Sequence, residues 1–401
     1  MKNLNTELTP AEATKVLAYM VNQNIELAKS GHMPVAINIE GAAGIAKTSI
    51  VKQLAVKANT HYYIRLNVAE LDPGDVIGFP ITQYKVCKEQ ECLWIGDKLL
   101  NDYILQGYHA TGQSRMSYSK PEWLVEKEDK PCILVLDDYN RGTSLMLNAC
   151  MRITDEQETT SWKLPTGSTV ILTCNPDDDG EESFNVTSGD GAQKTRYLTL
   201  KMKPSVNDWA IDYAEKVNLP SAFINFMLKH PEIIEGSNID EGGNHVKKGN
   251  LRIWSKFFHA VSGLSNNLSD NWDTVFLLGQ NSLPVEHLLM LNKFIEDKLD
   301  KLPTPQQLLK MKAEDAVKEL KSVIGAGSKK RVDISSILSR RIMNYTIVNH
   351  KDFTKDMVDV YAEIMESEYM SPDLVLLSVK KTTKLFPALI KRQKLISILT
   401  S

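Results

Sequence analysis

Two kinds of apolar pattern succeed one another along the chain, and the change between them divides it. Up to about residue 203 the strong signals are short, nearly unbroken apolar runs. They are Val35-Ala36-Ile37-Asn38-Ile39, His61-Tyr62-Tyr63-Ile64-Arg65-Leu66, Cys132-Ile133-Leu134-Val135-Leu136, Val170-Ile171-Leu172-Thr173-Cys174 and Tyr197-Leu198-Thr199-Leu200. Runs of this length, partly β-branched and bounded by polar turns, predict strands of a parallel sheet covered on both faces. From Pro204 onward the period becomes helical: Trp209, Tyr213, Ala214 and Val217 fall on one face, as do Phe223, Phe226 and Met227. A helix is also predicted at the start. Thr9 can cap it, Pro10 suits its first position, Glu12 completes a capping box, and Gly31 marks its end.

This pattern predicts an α/β domain over residues 1–203, a helical region over 204–300, and a further helical region over 301–401 after the join Leu302-Pro303-Thr304-Pro305. The last region is interrupted at Gly325-Ala326-Gly327-Ser328. Its basic clusters, Lys329-Lys330-Arg331, Lys380-Lys381, Lys384 and Lys391-Arg392, read as solvated helix faces. Residues 72–130 form a long stretch without clear period, and a loop of that length inside a domain is usually functional or inserted structure. Ser161-Trp162-Lys163-Leu164 followed by Pro165 suggests a hairpin.

The first chemical signal lies between the first strand and the helix after it. Gly41-Ala42-Ala43-Gly44-Ile45-Ala46-Lys47-Thr48, opening onto Ser49, follows the G-x-x-x-x-G-K-[ST] pattern except that Ala46 replaces the second glycine. In such a loop, backbone N–H groups and a helix N-terminus cradle phosphate oxygens. Lys47 reaches the β- and γ-phosphates, and the Thr48 hydroxyl holds Mg²⁺. The third apolar run ends in Asp137-Asp138, at the carboxyl end of a strand, where an open α/β sheet presents its ligand crevice. The plain alternative is two solvated carboxylates in a turn. The fourth run ends in Asn175-Pro176, either an amide beside the γ-phosphate or a turn-forming pair. Arg196 precedes the fifth.

Taken in order, these segments resemble the AAA+ ATPases, and within them the MoxR family. The residues that carry the resemblance are the Gly41–Thr48 loop, Asp72 with Gly78-Phe79-Pro80, Pro121-Glu122-Trp123-Leu124, Leu134 to Arg141, Thr173-Cys174-Asn175-Pro176 and Thr195-Arg196-Tyr197, over roughly residues 30–300. The segment from Asp208 to Glu232 is similar to the lid of MoxR-like proteins of phages and bacteria. The resemblance implies an AAA+ P-loop core with a parallel central sheet, a helical lid and a helical C-terminal extension. It implies ATP and Mg²⁺ as ligands, since the residues themselves do not choose adenine over guanine. Thr48 and Asp137 would hold the metal, Asp138 would activate water, and Asn175 would orient it. Arg252, at the start of a lid helix, would sense the γ-phosphate within its own subunit; a surface arginine near a helix cap is the alternative. Arg196, on a strand expected at the far side of the sheet, would reach a neighbour's site as an arginine finger. Relatives place glutamate where Asp138 stands.

The resemblance further implies a hexameric ring, with a helical insert within 72–130 and the hairpin near Trp162 facing its pore; for Trp162 ordinary packing is the alternative. The implied work is remodelling or activating a protein client, or a partner carrying a von Willebrand factor A domain. A slow, nucleotide-stabilised scaffold or switch ring is the alternative, and a DNA-directed motor is a third. A net charge of −3 and the absence of aromatic–basic stripes speak against nucleic acid. Five cysteines are present without a C-x-x-C pair. Cys132, Cys150 and Cys174 fall in apolar segments, and Cys87 and Cys92 in what reads as a polar loop lacking the histidines zinc would need. A reduced, cytoplasmic setting is expected. No signal peptide precedes the first helix, and no apolar run reaches membrane-spanning length, so no membrane partner is expected.

Overall fold

The computed structural model describes residues 7–397 apart from 59, 126, 128, 177–190, 237–247, 393 and 396. The chain forms two compact units, Met1–Lys203 and Pro204–Ser401.

The first unit is built on a six-stranded, all-parallel sheet. Its strands are β1 (Glu7–Leu8), β2 (Ala36–Glu40), β3 (Tyr62–Asn67), β7 (Cys132–Asp137), β8 (Thr169–Cys174) and β9 (Tyr197–Met202), in the spatial order β1-β9-β2-β8-β7-β3. The five apolar runs are the five long strands. Their side chains alternate between two cores. Cys132, Leu134, Leu136, Val170 and Leu172 face one cluster with Ile153 and Trp162. Ile133, Val135, Ile171, Ile37 and Ile39 face the other with Leu17, Val51 and Leu54. Both faces of β2, β7 and β8 are covered, so neither side of these strands needs polar residues, and their runs read as continuous. Burying each such side chain contributes about 1.5–3 kcal/mol.

The helix α1 (Pro10–Lys29) begins with the expected capping box between Thr9 and Glu12. Its buried Asn24 is bonded reciprocally to Val35: Nδ2 donates to the Val35 carbonyl at 3.0 Å and Oδ1 accepts from the Val35 N–H at 2.9 Å. That clamp fixes the entry of β2. The helix α2 (Lys47–Ala58) leaves β2 through the loop 41–46 and buries Ile50, Val51, Leu54 and Ala55 against the same core as α1.

Residues 72–130 are ordered differently from the expected irregular or helical insert. A short helix, α3 (Pro73–Ile77), leads into a separate antiparallel sheet of β4 (Pro80–Lys88), β5 (Glu91–Gly96) and β6 (His109–Tyr118), order β5-β4-β6, with a six-residue helix α4 (Leu100–Leu105) between β5 and β6. The reason it escaped a reading by pattern is its exposure. The first eight residues of β6 are all exposed and carry no apolar alternation. Cys87 and Cys92 are not in a loop; they face each other across β4 and β5 and are joined by a disulfide. The other three cysteines are buried and take no part in a disulfide.

The hairpin near Trp162 is reduced to a single bridge, Glu158 to Lys163. Trp162 does not project outward. It is buried, packs edge-to-face on Trp123 with centroids 5.1 Å apart, and donates from Nε1 to the Val76 carbonyl at 2.8 Å. Packing therefore explains this tryptophan.

The second unit is helical throughout its described residues. One apolar core runs from Val206 to Leu395, on both sides of the Pro-rich join. The join itself starts a helix, Pro305–Lys310, capped by Thr304 and Gln307. Within the unit, the buried Arg341 guanidinium pairs with Glu215 and donates to Ser221 Oγ at 2.8 Å. Among the described residues no helix is long and apolar enough to cross a membrane.

Candidate functional site

The site forms where three neighbouring strands, β2, β8 and β7, end on the same rim of the parallel sheet. The loop after β2 is held closely from its first residue. A Cβ on Gly41 would lie 2.5 Å from the Met202 carbonyl oxygen and 2.6 Å from Ile45 Cδ1, so only glycine fits there without displacement. Gly44 has φ +81°, as a tight turn requires. Ala46 has φ +74°, the left-handed region in which an L side chain is strained. Its carbonyl accepts the first helical bond from Ile50 N–H at 3.0 Å, so Ala46 also stands at the cap of α2, where alanine serves poorly. The glycine of the usual pattern is thus missed for its backbone freedom as well as for its size.

That strain yields a testable expectation. Ala46→Gly relieves the left-handed penalty while freeing the unfolded chain, and should on balance raise stability by about 0.5–1 kcal/mol. Ala46→Val adds β-branching at the same φ and should lower it. The denaturant midpoints of the two variants read this directly.

Lys47 is 8% exposed and its ammonium is folded onto the loop. Nζ donates to the carbonyls of Gly41 at 2.5 Å and Ala42 at 3.0 Å, and to Asn175 Oδ1 at 2.9 Å. Asn175 is itself fixed by Asn140, whose Nδ2 donates to the Asn175 carbonyl at 2.7 Å and whose Oδ1 accepts the Asn175 N–H at 3.2 Å. Asn175 is therefore more than a turn-forming residue.

Asp137, 4% exposed, is the second fixed point. Its Oδ1 accepts from Thr48 Oγ1 at 2.6 Å and Thr173 Oγ1 at 2.5 Å; its Oδ2 accepts from Arg65 Nε at 2.7 Å and Nη2 at 2.5 Å. Burial pushes its pKa up, but the bonds from Thr173, Thr48 and Arg65 outweigh burial and hold it below the usual carboxylate range. The group is ionised at neutral pH. Asp138 turns away from the strand with φ +49° and ψ +41°; its N–H donates to Thr173 Oγ1 at 3.1 Å and its carboxylate lies 3.9 Å from Arg141 Nη1.

Lys47, Thr48, Asp137 and Asn175 thus meet at one place through direct hydrogen bonds, with Asp138 beside them. Arg196 is elsewhere in the first unit. It precedes β9, whose register Ala36 to Tyr197 and Glu40 to Lys201 puts it at the amino end of the sheet, whereas the loop leaves the carboxyl end. At about 3.3 Å per residue the two are ~20 Å apart along the strands, farther than an arginine spans. Its guanidinium donates to the Ala192 carbonyl and lies 3.5 Å from Asp155 Oδ2. Its strand, β9, lies toward one side of the sheet, adjoining β2 and flanked outside by the two-residue β1. Arg252 is in the second unit, exposed at the start of a helix, Leu251–Ala260, capped by Asn250.

Three residues of the cluster were not read from the sequence as functional: Arg65, Thr173 and Asn140. Arg65 interrupts an apolar strand, which is the signal a reader could have used. Thr173, one residue before the strand's end, carries no signal of its own.

For the metal that the motif implies, the donor set can be tested. Thr48 and Asp137 bring two hard oxygens to within 2.6 Å of each other at the loop. Among the described residues no group of three or more His, Cys, Asp or Glu side chains could hold a metal alone. One carboxylate, one hydroxyl and no protein cage suit Mg²⁺, which completes its shell with phosphate oxygens and water.

No protein-family model matches this chain, and no curated protein matches it significantly. Two similar solved structures are a candidate ATPase of Cytophaga hutchinsonii and a mutant of RuvB from Thermotoga maritima. The first is 15% identical, with 86% of this chain and 79% of that one covered and a TM-score of 0.31. The second is 10% identical, with 84% and 90% covered and a TM-score of 0.33. Likeness at this level adds no argument about function. The fold class stands on the topology: an α/β core with a parallel central sheet and helices on both faces, followed by a helical region.

Proposed function

We propose that the chain binds a nucleoside triphosphate, ATP by the resemblance, and hydrolyses it in an assembly of several copies. The observation that carries this reading is the pairing of Lys47 with Asn175 and of Thr48 with Asp137 by direct hydrogen bonds at one rim of the sheet. Phosphoryl transfer to water depends on positioning and charge neutralisation, and these residues supply both. Lys47 exchanges the loop carbonyls for phosphate oxygens. Asn175, clamped by Asn140, holds the Lys47 ammonium on one side and presents its amide to the water on the other. Asp138 accepts that water's proton. Mg²⁺, held by Thr48 and Asp137, supplies neutralisation of the developing phosphate charge. Arg196, which cannot reach its own loop, serves a neighbouring copy. For Arg252, the assignment to the γ-phosphate rests on the resemblance alone.

The ring, its hexameric size and the protein client or von Willebrand factor A partner belong to the MoxR resemblance and are part of the proposal; a bacterial or phage-infected cytoplasm, expected from the cysteines, is part of it too, and the Cys87–Cys92 disulfide does not add to its support. A slow or non-hydrolysing switch is the second reading. It is favoured by Asp138, which is one methylene shorter than glutamate and lies near Arg141 rather than free. Asp138→Asn separates them. If Asp138 is the base, the variant retains ATP binding and loses on the order of 10²-fold or more in turnover. An unchanged rate removes Asp138 from the mechanism. Particle sizing and phosphate release on one sample with ATP and Mg²⁺ test assembly and hydrolysis together.

A further inference from the structure

The carboxylate of Asp137 has no room left for a cation. An ionised carboxylate offers about four acceptor positions. Donor atoms occupy them: Thr48 Oγ1 and Thr173 Oγ1 on one oxygen, Arg65 Nε and Nη2 on the other. A metal reaches Asp137 only by evicting one of them. Thr173 is buried within β8 and cannot leave. Thr48 has only to rotate its hydroxyl, which leaves its oxygen free as a ligand. Arg65 is the donor that blocks an entire oxygen with a full positive charge. Its side chain is also the one with somewhere to go, about half exposed (51%) against 6% for that of Asp137. It comes from β3, paired with β7 so that Arg65 lies opposite Val135 and reaches two residues along to Asp137.

We infer that Arg65 is a positioning residue that closes the metal site of the nucleotide-free protein and swings into solvent when Mg²⁺ arrives with the phosphates. This rests on the nucleotide-binding reading above. Arg65 neutralises Asp137 before nucleotide binds, so the buried carboxylate is never left unpaired. The same pairing sets the metal in competition with a tethered cation. A free divalent ion finds two donors on the protein and gains little; one carried by a triphosphate brings its own oxygens and prevails. The consequence is ordered loading, in which metal without nucleotide stays off Asp137. A second consequence is that part of the benefit Mg²⁺ confers on nucleotide binding is consumed in displacing the guanidinium.

The test is calorimetric titration of ATP into the full chain, once in EDTA and once in millimolar Mg²⁺, for the parent, Arg65→Ala and Arg65→Lys. The readout is the ratio of the Kd in EDTA to the Kd in Mg²⁺. For Arg65→Ala the ratio should rise about tenfold over the parent, a discounted figure because the arginine is half exposed. Arg65→Lys, which keeps the charge without the two-point contact, should fall between. A residue that merely supports the fold would change affinity in both buffers alike and leave the ratio where it was; that result overturns the inference while leaving nucleotide binding intact. A parent protein that binds no ATP in either buffer overturns both. Circular dichroism of each variant shows whether it is folded, and Arg65→Lys carries the test if Arg65→Ala is not: a Lys variant with the parent's ratio then counts against the gate.

Discussion

Lys47→Ala is expected to bind ATP on the order of 10²-fold or more weakly than the parent, with the fold intact. The magnitude follows from burial. Removing one partner of a buried, hydrogen-bonded charge pair typically costs about 2–5 kcal/mol, and the Lys47 ammonium sits where the triphosphate would be most negative. In the structure the ammonium donates to neutral oxygens of Gly41, Ala42 and Asn175. Losing it leaves uncharged acceptors behind, which are far cheaper to leave unmet than a buried charge. Stability should therefore change far less than affinity. Equilibrium binding and a thermal melt on the same preparation separate the two effects. Equal affinity in parent and variant would remove the loop from nucleotide binding.

Arg196→Ala should leave ATP affinity nearly unchanged and lower turnover by about 10³-fold, within the range for an arginine finger supplied from outside the site. Its position at the opposite end of the sheet makes a stronger test possible. A mixture of Arg196→Ala and Lys47→Ala proteins, each nearly inactive alone, should regain activity. In mixed assemblies, a Lys47→Ala copy lends its arginine to the intact loop of an Arg196→Ala copy. Two defects in one site would not complement. If the mixture stays as inactive as its components while both proteins assemble, Arg196 does not act in trans.

Much of the scaffold was legible because a strand covered on both faces must be apolar at every position. Ile133 and Leu134 look alike in sequence although they face different cores, and the run announces a buried strand either way. The capping residues Thr9, Pro10 and Glu12 were equally plain, because a cap is a local bond between near neighbours. The insert was not legible. The exposure of β6 deprives it of an apolar rhythm, and the pairing of Cys87 with Cys92 depends on a register set by the neighbouring strands. At the site, the loop, Asp137 and Asn175 could be read as strand-end residues of the right chemistry. Arg65 showed only as a charge interrupting an apolar strand; its pairing with Asp137 depends on β3 lying beside β7, a long-range fact. Trp162 stood open between a pore-facing role and ordinary packing, and it closes a core.

If Arg196 acts on a neighbouring copy as proposed, the opposite placement of the loop and Arg196 on one sheet gives each copy a donor end and an acceptor end. A contact that joins unlike ends is heterologous, and a two-fold pair would not make it twice over. Such contacts propagate in one direction until rotation brings the last copy back to the first or leaves an open helical filament. Polarity of the subunit thus becomes polarity of the assembly, and a copy at an open end would have either a cleft without a guanidinium or a guanidinium without a cleft.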